Sequence, residues 1–195
     1  MTEVDLPADL PVSPDRATPF ARVAARVASD SAALASLRRG VGRPVEECPA
    51  TWPFVAEAAA GEPRREPAAH TALGLLALHQ QAQMPGAMNR AGWGVGKACR
   101  VLGHRRPPEG VDRRFRAALA ANDLPALAVH LRGLVTLMRG EAVPLDYPRL
   151  YLDLCSWGHP DGRSRVGMRW SRDYIAADHR ENRVTAGDTA ARAEE

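Results

Sequence analysis

The chain has 195 residues, of which 45% are hydrophobic, and a formal net charge of +3. This length and composition predict a globular domain with its own core and argue against an intrinsically disordered chain. Three cysteines without paired spacing, Cys48, Cys99 and Cys155, argue against a disulfide framework and favour a reducing compartment. The acidic start is unlike a signal peptide, and no apolar run approaches the ~20 residues of a membrane span. We therefore expect a cytoplasmic protein without a membrane segment.

The first half of the chain shows the apolar spacing of short helices. One helix is expected from Phe20 onward, and a second after Asp30, whose side chain is a suitable N-cap. Trp52 is expected to anchor a third helix that ends near Gly61, and a fourth helix is expected over 68–81.

A glycine-rich stretch, residues 83–96, is the most mobile-looking internal segment. It is not a Walker A loop, because Ala91 replaces the first glycine and Ala98 replaces the hydroxyl residue of that motif. A dinucleotide-binding loop would need a preceding strand, which is missing. Gly94 and Gly96 are therefore interpreted as part of an adaptable loop beside the start of a helix.

The second half of the chain has the strongest helical pattern. Phe115 marks the inner face of one helix, while Asp123 and Asp146 are predicted to cap the next two. Val166 and Trp170 lie four residues apart and predict the buried side of a last helix.

The fold class predicted from these patterns is all-α, because almost no segment shows the alternation of a strand. We expect residues 17–177 to form one domain, a bundle of about eight helices with short loops. Its division into lobes at about 17–82 and 94–177 stays open. Residues 1–16 and 178–195 are predicted to be disordered, because they carry few apolar side chains.

The chemistry of an enzyme is not evident. No HExxH motif, paired CxxC or GxSxG elbow occurs. Cys155 and His159 have a spacing that could hold a metal within one helix, but Gly158 and Pro160 interrupt that helix. We therefore predict a non-catalytic protein without a metal or other cofactor.

Arginine is the unusual feature of the composition, with 25 residues against one lysine. A GC-rich genome explains most of this bias, but local clusters matter more, because the local field attracts polyanions. Seven basic residues and two acids lie between Lys97 and Arg116, and four basic residues and no acid lie between Gly162 and Arg172. A solvated helical face explains any single arginine. Two clusters of one sign instead favour a polyanion partner.

The order of several short segments resembles the CasB family, the small subunit of Cascade, the type I-E CRISPR interference complex. The resemblance covers residues 34–176 and rests on the segments LRRG at 37–40, GVGKACRVL, DRRFRAAL, HLRGLV, VPLDYPRLYLDL and RWSRDY. It implies a non-enzymatic, all-α subunit that stabilises the R-loop by holding displaced single-stranded DNA. It also implies four kinds of partner: the large and backbone subunits of Cascade, the guide RNA complex, target DNA and a second copy of this chain.

The resemblance also implies a basic nucleic-acid-binding surface. In this sequence, the resemblance places the residues of that surface at Arg39, Lys97, Arg113, Arg114, Arg132, Arg163 and Arg165. Helical geometry adds Arg100 and Arg169. Gly133 stands where some relatives have a second basic residue after the position of Arg132. Two alternatives stay open: a helical regulator that binds double-stranded DNA, and a protein-only scaffold whose arginines pair with acidic partners.

Overall fold

The computed structural model describes the backbone of residues 18–84 and 86–193, and the side chains of these residues as far as Ala177. Within these limits there are nine α-helices and no strand, so the all-α prediction is confirmed. The predicted segment 1–16 lies outside the described residues. The helices are α1 (Pro19–Ala28), α2 (Ser31–Gly40), α3 (Trp52–Ala58), α4 (Glu66–His79), α5 (Val95–Arg105), α6 (Pro108–Leu119), α7 (Leu124–Gly140), α8 (Tyr147–Trp157) and α9 (Pro160–Ala193).

The helix starts follow local chemistry. The three predicted aspartate caps, Asp30, Asp123 and Asp146, each accept a hydrogen bond from a backbone N–H of the first turn that follows. Thr18 caps α1 in the same way, a role that the sequence analysis did not assign. Each cap accepts from N–H groups that have no partner inside their own helix. Because the capping residue stands only a few positions away in the sequence, the starts of these helices could be predicted.

One hydrophobic core draws side chains from all nine helices. The indole rings of Trp157 and Trp170 stack with centroids 5.3 Å apart and join α8 to α9. The rings of Phe20 and Tyr151 stack at 4.4 Å and join α1 to α8. Both predicted halves therefore contribute to the same core. Their division into two lobes stays a prediction.

The glycine-rich stretch expected to be mobile is instead tied to the segment that joins α7 to α8. The N–H of Arg90 donates to the carbonyl of Leu145 at 3.1 Å, and the N–H of Asp146 donates to the carbonyl of Trp93 at 2.8 Å. The buried carboxylate of Asp146 also accepts from the N–H of Gly92 at 2.8 Å. These partners lie more than fifty residues away in the chain, so no local pattern could reveal them.

Three further expectations differ from the structure. Trp52, expected to anchor the third helix, is 49% exposed, although its indole N–H donates to the carbonyl of Val45. Gly96, assigned to a loop, is buried inside α5. Helix α9 continues into the segment predicted to be disordered, 178–195, as far as Ala193. No helix in the described part of the chain is long and apolar enough to span a membrane.

Candidate nucleic-acid interface

Helix α6 presents a stripe of arginines to solvent. Val111 and Phe115 turn inward, which leaves Arg113 and Arg116 on the opposite side, where both are exposed. Neither guanidinium makes a hydrogen bond or ion pair with another described residue. Arg114 is also exposed and donates to the carbonyl of Gly110, one turn earlier on the same helix, at 2.9 Å. The helix therefore offers positive charge that the fold does not neutralise.

Helix α9 carries a second set of exposed cations. Because Arg165 and Arg172 are seven residues apart, they share one face of the helix. Both are exposed, and neither pairs with another described residue. Met168 and Ile175 follow them three residues later, and each is 56% exposed. This face of α9 thus combines cationic and apolar side chains.

Helices α6 and α9 are neighbours. The rings of Phe115 and Tyr174 stack with centroids 4.9 Å apart, and the Tyr174 hydroxyl donates to Asp112. Leu119, one turn further along α6, faces Gly167, which lies nearly two turns earlier on α9. The two helices therefore run antiparallel. The predicted arginine clusters lie on adjacent helices.

Arg39 and Arg132 lie at another place on the molecule, at the end of α2. Arg39 is exposed in the last turn of α2, where it donates to the hydroxyl of Ser36 at 3.1 Å. Arg132 is exposed on α7, and its Nη1 atom lies 3.4 Å from the position that a Cβ on Gly42 would take. Because Gly42 follows α2 by two residues, the fold brings Arg132 to the end of the helix that carries Arg39.

Lys97 and Arg100 extend from α5 and are only partly exposed. The Nζ atom of Lys97 lies 4.2 Å from the centroid of the Trp93 ring. The guanidinium of Arg100 lies 5.3 Å from the centroid of Tyr174 and donates to its hydroxyl. Both cations therefore rest against aromatic rings, an arrangement that favours cations electrostatically.

Arg163 and Arg169, also predicted to bind nucleic acid, turn toward the protein. Arg163 donates to the carbonyl of Asn122, in the connection between α6 and α7. Arg169 forms an ion pair with Asp153, a residue of α8 that is 3% exposed. The indole N–H of Trp170 donates to the other oxygen of Asp153 at 2.6 Å. Helical spacing suggested a free arginine at position 169 because Asp153 lies on a different helix.

The Asp153 carboxylate is buried and has a raised pKa. Its burial raises its pKa to about 6, while the Arg169 guanidinium and the Trp170 N–H act in the opposite direction. Arg169 compensates a charge that would otherwise be isolated in the core. We therefore assign Arg169 a role in holding α9 against α8.

The pH dependence of stability should reveal this buried carboxylate. Between its ordinary pKa of 3.8 and the raised value of about 6, the folded state binds the Asp153 proton more tightly than the unfolded state does. The free energy of unfolding contributed by Asp153 must then fall as the pH rises through this window. An asparagine at this position cannot titrate. The free energy of unfolding of wild type minus that of Asp153→Asn should therefore decrease with rising pH. Urea unfolding followed by circular dichroism measures this difference. A constant or rising difference would contradict the assignment.

Several other arginines are neutralised within the fold. Ion pairs join Arg26 to Glu57, Arg43 to Glu47, Arg65 to Glu62, Arg106 to Glu141, and Arg149 to Asp173. The exposed arginines of α6 and α9 are therefore the part of the basic surface best placed to meet an outside partner.

Among the described residues, no group of three or more His, Cys, Asp or Glu side chains could hold a metal ion.

The fold and this surface define an all-α protein with exposed arginines on packed helices. Residues 33–174 match the family of CRISPR-associated protein Cse2, and the chain belongs to that family. The structure is similar to that of CasB from Thermobifida fusca, with 31% identity, a TM-score of 0.64 and coverage of 80% of this chain and 93% of that one. The resemblance to CasB seen in the sequence is thus confirmed.

Two further structures share the fold. CasB from Thermus thermophilus is 26% identical, with a TM-score of 0.65 and coverage of 81% of this chain and 96% of that one. A chain of a CRISPR RNA-guided surveillance complex is 24% identical, with a TM-score of 0.62 and coverage of 84% and 93%. A search of curated proteins found no match.

Proposed function

We propose that this chain is the small, non-catalytic subunit of Cascade, the type I-E CRISPR interference complex. Its partners are the large and backbone subunits, the guide RNA complex and a second copy of itself, in the cytoplasm. Its task is to hold the single-stranded DNA displaced when guide RNA pairs with the target, and so to stabilise the R-loop. Membership of the Cse2 family supports this proposal, as does the likeness to a chain of a surveillance complex.

The observation that carries the proposal is the set of exposed arginines without an internal partner. Arg113 and Arg116 on α6, with Arg165 and Arg172 on α9, are exposed. A guanidinium matches the geometry of a phosphate and donates two hydrogen bonds to it. Such contacts read the backbone and not the bases. Contacts of this kind suit a subunit of a complex in which the guide RNA reads the sequence.

The energetics of R-loop formation explain how such a surface could matter. The RNA–DNA heteroduplex is about as stable as the DNA duplex that it replaces, so the exchange is nearly balanced. A few contacts to the displaced strand can then shift the equilibrium toward the open form. This contribution should weaken as salt rises, because each phosphate contact releases counterions.

Omission of the subunit tests this function. Cascade assembled without this chain should form an R-loop of shorter lifetime on a matched target than the complete complex. Adding the purified full chain back should restore the lifetime. The dissociation of fluorescent target DNA after dilution measures it. Equal lifetimes with and without the chain would contradict the proposal.

Competition binding separates the two alternatives. Strong preference for one duplex sequence would favour a double-stranded DNA regulator, whose recognition helix reads bases. No measurable affinity for nucleic acid, together with assembly that resists nuclease, would favour a protein-only scaffold. We expect instead that single-stranded DNA of any sequence competes equally well.

A further inference from the structure

A small pocket lies where the start of α1 and the N-terminal half of α8 meet the end of α3. Phe20 lines it from α1, Ala58 and Ala60 from the end of α3, and Tyr151 and Leu152 from α8. Its volume is about 110 Å³. None of the described residues that line it belongs to α6 or α9, so it is separate from the exposed arginines of those helices. We call it the Tyr151 pocket.

The aromatic side of the Tyr151 pocket is rigid. Phe20 and Tyr151 are 1% and 5% exposed, and their rings stack with centroids 4.4 Å apart. Both rings belong to the hydrophobic core, whereas Leu152 is partly exposed and packs against that core. The pocket is therefore formed before a ligand arrives, and binding does not have to order these side chains, which favours affinity.

Arg65 is the only charged side chain among the described residues that line the pocket. Burial raises the pKa of Tyr151, and the nearby Arg65 guanidinium acts in the opposite direction, which places this cation close to the aromatic side. The Nε atom of Arg65 pairs with Glu62 at 2.9 Å, but both side chains are largely in solvent, and such surface pairs contribute little. Because a guanidinium has several N–H donors, this one pair does not saturate it.

The size of the pocket selects a single aliphatic side chain. Sites for cofactors and drug-sized molecules have volumes of roughly 300–1,000 Å³, so the Tyr151 pocket is too small for them. An apolar cavity of about 150 Å³ holds benzene, so a somewhat smaller one suits a group of the size of a leucine side chain. One apolar side chain seated in a preformed pocket is a common anchor of protein–protein interfaces.

We propose that the Tyr151 pocket is a docking site for a partner protein, which inserts a leucine-sized side chain flanked by a carboxylate. The aliphatic group packs against the rings of Phe20 and Tyr151, and the carboxylate accepts hydrogen bonds from Arg65. Charge complementarity identifies this occupant, since the lining is apolar except for Arg65 and two hydroxyl groups and contains no acid among the described residues. The inference goes beyond the proposed function, because it assigns a surface other than the candidate nucleic-acid interface.

NMR titration of the full ¹⁵N-labelled chain with the peptide acetyl-Glu-Leu-Glu-amide tests the pocket. The amide signals of Ala60 and Leu152 should shift, while those of Arg113 and Arg165 should not. The peptide acetyl-Glu-Ala-Glu-amide should bind at least tenfold more weakly, because it lacks most of the apolar area to be buried. The peptide acetyl-Gln-Leu-Gln-amide should bind about fivefold more weakly, because it keeps the leucine but has no charge for Arg65.

Substitution of Arg65 shows whether this residue recognises the charge. In Arg65→Met, the acidic and the glutamine-containing leucine peptides should bind equally well. Arg64→Met is the matched control, because Arg64 is the exposed neighbour and does not line the pocket. It should keep the fivefold difference. Leu152→Glu, which places an acid at the pocket, should abolish binding of the acidic peptide. The same preference for the acidic peptide in Arg65→Met as in wild type would overturn the proposal.

Other occupants give different results. If the signals of the pocket respond to dilution of the protein and not to peptide, a second copy of the chain occupies the pocket and the proposal is wrong. If the peptide binds only after Leu6→Ser and Leu10→Ser are introduced together, the occupant belongs to residues 1–17 of the same chain, which also overturns it.

The test is independent of the proposed function and of the variants. Arg113→Ala should bind acetyl-Glu-Leu-Glu-amide as wild type does, so failure of the nucleic-acid surface would leave the pocket standing. Shifts that do not depend on the leucine, or no shifts at Ala60 and Leu152, would exclude the pocket and leave the proposed function standing. Because the three peptides are compared on the unmodified chain, the test stays valid if a variant does not fold.

Discussion

Replacing Gly96 by alanine should lower the free energy of unfolding by about 3 kcal/mol or more. A Cβ at this position would stand 1.9 Å from the carbonyl oxygen of Trp170 and 2.8 Å from the backbone nitrogen of Tyr174. Backbone atoms cannot rotate away as a side chain can, so α5 and α9 would have to separate. That movement would also disturb the packing of Trp170 against Trp157, since Trp170 is fully buried.

The matched control lies on the same helix. A Cβ on Gly103 would meet nothing within 4 Å. Gly103→Ala should therefore be neutral or slightly stabilising, by up to ~1 kcal/mol, because alanine is the better helix former. Urea unfolding followed by circular dichroism measures both variants. Similar stabilities for Gly96→Ala and Gly103→Ala would show that the close crossing of α5 and α9 is wrong.

The largest effect on nucleic-acid binding should come from removing the four exposed arginines Arg113, Arg116, Arg165 and Arg172 together. One charge pair at contact distance in water contributes about 1 kcal/mol. Four such pairs amount to roughly 4 kcal/mol, or nearly a thousandfold in affinity. The slope of log affinity against log salt should also fall by about 3, since each single-strand phosphate contributes about 0.7.

Two controls make this experiment specific. The fourfold alanine variant should keep the helical circular dichroism spectrum of wild type, because these side chains are exposed and outside the core. The corresponding fourfold lysine variant keeps the positive charge but lacks the planar guanidinium groups. It should therefore retain the slope of log affinity against log salt while losing part of the affinity. A salt slope in the alanine variant equal to that of wild type would exclude these four residues from the binding surface.

Features that depend on neighbours in the chain were predicted correctly. Asp30, Asp123 and Asp146 cap their helices because an aspartate satisfies N–H groups only a few residues away. Phe115 and Trp170 are buried because the period of a helix places them on the apolar face. The same period places Arg113 and Arg165 on exposed faces. For Arg113 and Arg165, the sequence therefore predicted on which face of its helix each side chain lies.

The partner of a side chain on another helix could not be predicted in this way. The sequence placed Arg169 among the free cations, whereas the fold pairs it with Asp153. Residues 83–96 were expected to be an adaptable loop, but Asp146 and Leu145 hold this stretch. Local periodicity and capping were enough to define an all-α chain with arginines outside its apolar faces. Contacts between segments distant in sequence decide which arginines stay exposed, and they place Arg90 and Lys97 against the ring of Trp93. Only the packed tertiary structure brings these segments together.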